Sequence, residues 1–400
     1  MAGPDRAFSG DVTVLGAGIG GLAVATALAQ RGVAVRLVEQ ASELSEIGAG
    51  LQISPNGHAV LRALGLQAAL DRQSIAAAAV LLRNGESGVA VSRLDLARAA
   101  PHGQFRFIHR ADLVALLADA AKQAGVEFQL GCRVESVTLT EGPPRLIHAG
   151  GECIAPLLIA ADGLHSPTRS ALAALTGQQS GDAAFFTGQV AWRATLPIKP
   201  GAEPVAQVFM GAGRHLVTYT VRGGQLRNIV AVEERAAWAD DSWSSTGDAM
   251  ALSAAFADFV PEVRDWLEAV ERPHLWGLFR RPVARDWSGG GAVLVGDAAH
   301  PTLPFLAQGA NLALEDAWLL AHLLTSGAPL AEALARYQAL RQPRVARAIA
   351  AANANARKYH LSGLPRLAAH TGLRLLDRLA PGAMIDRFRW LYGYDVTADH

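Results

Sequence analysis

The stretch DVTVLGAGIGGLAVATALAQRGVAVRLVEQ, residues 11–40, constrains the fold more than any other part of the chain. A β-branched run from Val12 to Leu15 meets a glycine turn, an alanine-rich segment follows to Gly32, and a second apolar run closes on Glu39. Strand, helix and strand at this spacing predict a βαβ unit of an α/β, Rossmann-like domain. Gly16 allows the tight turn, Gly18 removes a side chain where a pyrophosphate must approach, and Gly21 lets the helix pack closely. Ile19 and Gly20 then open a helix whose N-terminus faces the anion. Glu39 lies at the ribose-binding distance of about 20 residues beyond the glycines, where a carboxylate accepts sugar hydroxyls. The fingerprint predicts a bound dinucleotide without separating FAD from NAD.

Two later segments repeat one design. LLIAADGLHSPTR, residues 157–169, and VLVGDAAHPTLPFLAQGANLALEDA, residues 293–317, each run from a short apolar strand into an acid, Asp162 or Asp297. Strands of one sheet that end this way bring both carboxylates to the crevice where doubly wound sheets bind ligands. From Asn311 onward Leu312, Leu319, Leu320, Leu323 and Leu324 follow helical spacing. Arg110 stands before another helical pattern, Leu113, Leu116, Leu117 and Ala120, which stops at Gly125.

Composition narrows the partners. Lys plus Arg number 36 and Asp plus Glu 36, so no overall field favours nucleic acid or an anionic membrane. A small neutral or weakly charged partner fits better. Only Cys132 and Cys153 occur, with neither CxxC nor HExxH, which predicts two packing thiols and no metal site. The first residues, with Asp5 and Arg6, lack an apolar signal region, and no apolar run reaches the roughly 18 residues of a membrane span. A cytoplasmic enzyme, monomeric or homodimeric, is the expectation.

Between Thr176 and Arg285 the pattern changes to short alternating stretches such as TGQVAWRATLP, AQVFMG, RHLVTYTVRG and LRNIVAVEE, which predict an antiparallel sheet. Within HLVTYTV, His215, Val217 and Tyr219 project to one side. An imidazole and a phenol on one face either are satisfied tips of a half-buried sheet or handle a substrate proton.

The ordered triple GAGIGG, DGLHSPTR and GDAAHP resembles the flavin-dependent aromatic hydroxylases, the para-hydroxybenzoate hydroxylase family. EIGAGLQISPNG, HRADL, LPFLAQGANLALEDA and the terminal WLYGYD look like the salicylate and 3-hydroxybenzoate hydroxylases in particular. The resemblance implies FAD as cofactor and NADH or NADPH as co-substrate. It also implies O2 activation through a flavin C4a-hydroperoxide and hydroxylation of a small phenolic aromatic. It assigns Gly16, Gly18, Ile19, Gly20, Gly21, Glu39, Gln40, Arg110, Val134, Asp162, Asp297, Gly309, Ala310 and Asn311 to the cofactor, with Asp297 on the ribityl chain. His215 and Tyr219 become the catalytic candidates. His300 is more readily a loop-fixing residue, and Arg193 and Arg214 are candidate carboxylate partners. Many relatives carry an arginine soon after the ribose acid; here Gln40 to Ser45 contain none, leaving Arg110 to do that work alone.

The implied organisation is an FAD-binding domain of residues 1–74, 108–176 and 285–344, with an antiparallel-sheet substrate domain of 75–107 and 177–284 inserted. A helical segment of 345–400 completes it. Two other classes remain open: a related flavoprotein epoxidase or reductase acting on a non-aromatic substrate, and a dinucleotide-binding protein without catalysis.

Overall fold

The structure, a computed structural model, describes residues 10–44, 49–99, 104–178, 183–238, 246–380 and 382–398; Asp5, Arg6 and Ser45 lie outside them. Val12–Leu15 sits inside a six-stranded sheet, flanked by Val35–Val38 on one side and Leu157–Ala160 on the other, with Ala292–Leu294 beyond. These four strands run parallel, pairing Leu15 with Ala160 and Ala160 with Leu294. The glycine turn and the segments carrying Asp162 and Asp297 therefore leave the same sheet edge. Burial on both faces explains the unbroken apolar runs of Leu157–Ala160 and Ala292–Leu294, and Val12–Leu15 is buried throughout with Thr13 as its one polar side chain.

The fingerprint helix, Ile19–Ala29, packs against helices Arg110–Gln123 and Gly309–Leu324. Ile19, Leu22 to Ala25, Ala27 and Leu28 are all buried, so the helix is apolar all round, as an internal helix must be.

A seven-stranded sheet has the order His274–Arg280, Phe185–Pro197, Leu226–Glu234, Arg214–Val221, Val205–Gly211, Ala79–Asn84 and Ala90–Asp95. One junction departs from the antiparallel expectation: Val205–Gly211 pairs parallel with Ala79–Asn84. No hairpin links these two strands, which come from distant parts of the chain, so no tight turn dictates their direction.

Alternation divides the sheet cleanly. Trp192, Phe209, Leu216, Ile229 and Ala231 face helices Ala249–Ala255 and Pro261–Glu268, packing with Phe256 and Phe259. Each such large side chain buried contributes about 1.5–3 kcal/mol. The opposite face carries His215, Val217 and Tyr219 and lines an internal cavity.

A small sheet of Gly50–Ile53, Arg106–His109 and Ile75–Ala76 joins the two large ones. The Gly50 N–H donates to Asn228 Oδ1 at 2.7 Å, and a Cβ at Gly50 would come within 2.6 Å of the Tyr219 ring. Only glycine permits that approach. Helix Leu330–Tyr359 runs unbroken through Pro343, so the division expected at 344/345 falls within one element. Helix Gly363–Leu379 then packs along Ala90–Asp95.

Candidate active site

At the glycine turn the geometry matches what a pyrophosphate needs. Gly16 has φ +100°, and an added Cβ would lie 2.4 Å from the Ala161 carbonyl oxygen. A Cβ on Gly21 would meet the Gly16 carbonyl oxygen at 1.9 Å, whereas one on Gly18 would enter open space. Two glycines thus permit the turn, and the third keeps clear the place where a ligand approaches. Glu39 braces the same turn: it accepts from the N–H of Ala17 at 2.7 Å and of Ala41 at 2.8 Å. These contacts fix its carboxylate beside the cradle, with each oxygen retaining acceptor capacity.

The two strand-end acids differ. Asp162 Oδ2 accepts from the Thr168 hydroxyl at 2.8 Å and its N–H at 3.3 Å, while Oδ1 is buried without a protein partner. Burial raises its pKa against those hydrogen bonds. Asp297 opens onto the cavity. Burial also pushes its carboxyl up, opposed by the positive charges of His300 and Arg110. A carboxylate facing open space, as at Asp297, suits a ligand hydroxyl, whereas the orphaned Asp162 oxygen is buried and Asp162 stands outside the cavity lining.

Arg110, the first residue of its helix, lines the cavity together with Gly18, Ile19 and Gly20. Opposite them the turn Pro304–Leu306 leads through Ala307, in the left-handed region at φ 52°, to helix Gly309–Leu324. Gly309 and Ala310 are cavity residues at the open N-terminus of this helix, where unpaired N–H groups carry roughly half a positive charge. Asn311 is instead turned inward: its amide donates to the carbonyls of Gln52 and Ala307 and accepts from the Ser54 N–H.

The cavity measures about 850 Å3 and extends from the glycine cradle to the seven-stranded sheet. Its sheet wall presents His215, Val217, Tyr219 and Arg193. Tyr219 stacks on Phe107 with ring centroids 4.8 Å apart, and burial pushes its phenol pKa upward despite the positive charge of Arg193. Burial, together with His360, drives the His215 imidazole well below its ordinary pKa. The Arg193 guanidinium lies over the Trp276 ring at 4.4 Å. Arg214 points elsewhere, pairing with Asp258 at 2.6 Å, and its charge is already matched there.

Residues 9–352 match the family model described as FAD binding domain. The chain belongs to this FAD-binding family. Among curated relatives, 3-amino-4-hydroxybenzoate 2-monooxygenase PtnB3 of Streptomyces platensis is 33% identical, with 96% of each chain covered. The 3-hydroxybenzoate 6-hydroxylase of Polaromonas naphthalenivorans (strain CJ2) is 32% identical, again with 96% of each covered. A solved salicylate hydroxylase substrate complex superposes with TM-score 0.80 at 25% identity, covering 98% of this chain and 97% of that one. This chain is accordingly a flavoprotein monooxygenase with FAD as its cofactor.

Of the other residues expected at the FAD, Gln40 is exposed just beyond the second strand. Val134 is half-buried, two residues after Cys132, whose N–H donates to the Glu39 carbonyl. Both therefore stand at the Glu39 end of the site and outside the cavity wall.

Sequence reasoning missed the buried ionic cluster behind the loop that leads into helix Gly309–Leu324. His300 contacts Asp316 at 2.5 Å; Asp316 accepts from Arg341 Nε at 2.6 Å and from the Gly296 N–H at 3.1 Å. Arg341 also pairs with Glu315, which accepts from Arg344 at 2.7 Å and Asn56 at 2.6 Å. Asn56 leads on to Gln308 at the helix start. The cluster holds the Asp297 turn and the Gly309 helix in register, which gives His300 the loop-fixing role. Although burial opposes it, His300 and Arg341 hold the Asp316 carboxyl at about 2. The available signal was the acid pair Glu315–Asp316 inside an otherwise apolar helix.

Proposed function

We propose that this monooxygenase hydroxylates the ring of a phenolic aromatic acid, consuming one NADH or NADPH and one O2. One oxygen atom enters the product and the other leaves as water. The observation that carries the reading is the sheet wall: His215, Tyr219 and Arg193 converge on a cavity whose other side holds Asp297 and the Gly309 helix. When bound, FAD accepts the hydride and activates O2 for transfer.

The chain's own contribution begins with Gly18, Glu39, Asp162 and Asp297, which would hold the pyrophosphate and the ribose and ribityl hydroxyls. Gly309 and Ala310 offer N–H groups and a positive helix end, which stabilise negative charge on the ring system. At the sheet wall, His215 is kept neutral by burial and has a lone pair to accept the phenolic proton. Removing that proton pushes electron density to the ortho and para ring carbons, where an electrophilic oxygen attacks. Tyr219 stays protonated and donates a hydrogen bond to the resulting phenolate. Arg193 adds positive charge for a phenolate or carboxylate. Leu303, Phe305, Val208, Met210 and Trp276 make much of the surrounding wall apolar, which keeps water from the reacting oxygen. The reading places the enzyme in the cytoplasm as a monomer or homodimer.

A screen of 3-hydroxybenzoate, 3-amino-4-hydroxybenzoate and salicylate tests this. At least one should stimulate NADH or NADPH oxidation and yield a product one oxygen heavier. Indifference to every phenolic acid, with stimulation by a non-aromatic alkene, would overturn the aromatic assignment.

A further inference from the structure

The His215 imidazole continues away from the cavity. Its Nδ1 lies 2.7 Å from His360 Nε2, and His360 Nδ1 lies 2.7 Å from Glu234 Oε1. His360 caps the C-terminus of helix Leu330–Tyr359, and its side chain is 3% exposed. Glu234 ends strand Leu226–Glu234, and its side chain is 55% exposed. The chain of groups thus runs from the cavity wall, through a sealed imidazole, to solvent.

We propose that His360 and Glu234 form a proton exit for the site, carrying the proton that His215 takes from a bound phenol out to bulk water. The proposal rests on the phenolic substrate reading, and hydrogen-bond direction gives it content. An ionised carboxylate only accepts, so His360 carries its hydrogen on Nδ1 and, when neutral, accepts at Nε2. His215 must then carry its hydrogen on Nδ1. Its Nε2 is left as a lone pair on a residue that lines the cavity.

Transfer follows the same order. The phenolic O–H breaks as His215 Nε2 gains a hydrogen. The His215 Nδ1 hydrogen passes to His360 Nε2, and the His360 Nδ1 hydrogen passes to Glu234, whose carboxyl group exchanges with water. One proton enters, one leaves, and no electrons move. Reversal of the same steps when the product is reprotonated restores both tautomers. A pocket that excludes water needs such a route, because no solvent is at hand to take the proton.

The neighbouring groups leave this direction intact. Tyr359 and Phe305 pack on His215 with ring centroids 5.3 and 5.5 Å away. The His360 carbonyl accepts from the Gly213 N–H, and Lys358 faces the cavity. Arg214 is turned to Asp258, while Glu233 is occupied by Arg235 and Trp192. Burial favours neutral imidazoles at both histidines, partly offset at His360 by Glu234.

Nitrogen NMR of histidine-labelled, FAD-loaded oxidised enzyme tests the direction without any substrate. Neutral histidine in water favours the Nε2–H form; His215 should instead hold its hydrogen on Nδ1. Kinetics supply the second arm, with whichever hydroxybenzoate the native enzyme turns over. Glu234→Gln and His360→Gln should each slow product formation about tenfold or more with FAD content unchanged. Added acetate should restore part of the Glu234→Gln rate, since the lost group is at the surface. A purely structural role would show no dependence on acetate. An Nε2–H tautomer at His215 in the native enzyme, or native rates in both variants, would overturn the proposal. If no phenol stimulates the native enzyme, the substrate reading fails, and the tautomer measurement alone decides the relay.

Discussion

Two chains of polar groups run through this molecule, and both place a histidine beside a carboxylate. One, running from His300 through Asp316, Arg341 and Glu315, has these four side chains sealed in the core. The other, from His215 through His360 to Glu234, opens on the cavity at one end and on solvent at the other. The ends decide what each can do. A charge held at about 2 and paired with a buried guanidinium does not exchange protons at working pH, so the first chain is a brace. Neutral imidazoles leading to an exposed carboxylate have both a source and a sink, so the second can conduct.

Breaking the brace should have the largest effect. Arg341→Met leaves Asp316 and Glu315 buried with lost partners, and should cost about 3–5 kcal/mol of stability in denaturant melts. The sign with pH follows from the depressed Asp316 pKa: its contribution is complete above the unfolded carboxylate value and is lost as pH falls toward 2. Acid unfolding should therefore begin at higher pH in Arg341→Met. Asp297→Ala comes next, with a loss of about 1–3 kcal/mol in FAD affinity by equilibrium dialysis, because on the proposed assignment it removes the acceptor for a ribityl hydroxyl. Glu234→Gln sits lowest, with stability within about 0.5 kcal/mol of native, as for an exposed position. An Arg341→Met melt no lower than that of Glu234→Gln would erase the distinction between the chains.

The sequence made the backbone-defined part of the site legible. Gly16 and Gly21 answer local steric demands, Gly18 keeps space clear for a ligand, and Asp162 and Asp297 announce themselves by ending apolar runs. Alternation also put His215, Val217 and Tyr219 on one face, though not which layer that face meets; the apolar contacts of Leu216, on the other side, settle that. His360 and Glu234 were beyond reach. They come from a helix end and a strand end far apart in sequence, and only the packing of the C-terminal helix over the sheet joins them. Glu315 and Asp316 were passed over for a different reason: adjacent acids in a helix ordinarily mark a solvated face, and the arginines that neutralise them lie on the next helix. The parallel pairing of Ala79–Asn84 with Val205–Gly211 likewise has no local signature, since no turn connects the two.

The central claim is that the sheet wall seats a phenol against His215. The most direct measurement is a crystal structure of the FAD-loaded enzyme with 3-hydroxybenzoate, or with whichever phenolic acid the screen selects. The account predicts the phenolic oxygen within about 2.6–3.2 Å of His215 Nε2, with the Tyr219 hydroxyl also in reach. A substrate bound elsewhere in the cavity, with its phenolic oxygen facing neither residue, would contradict it.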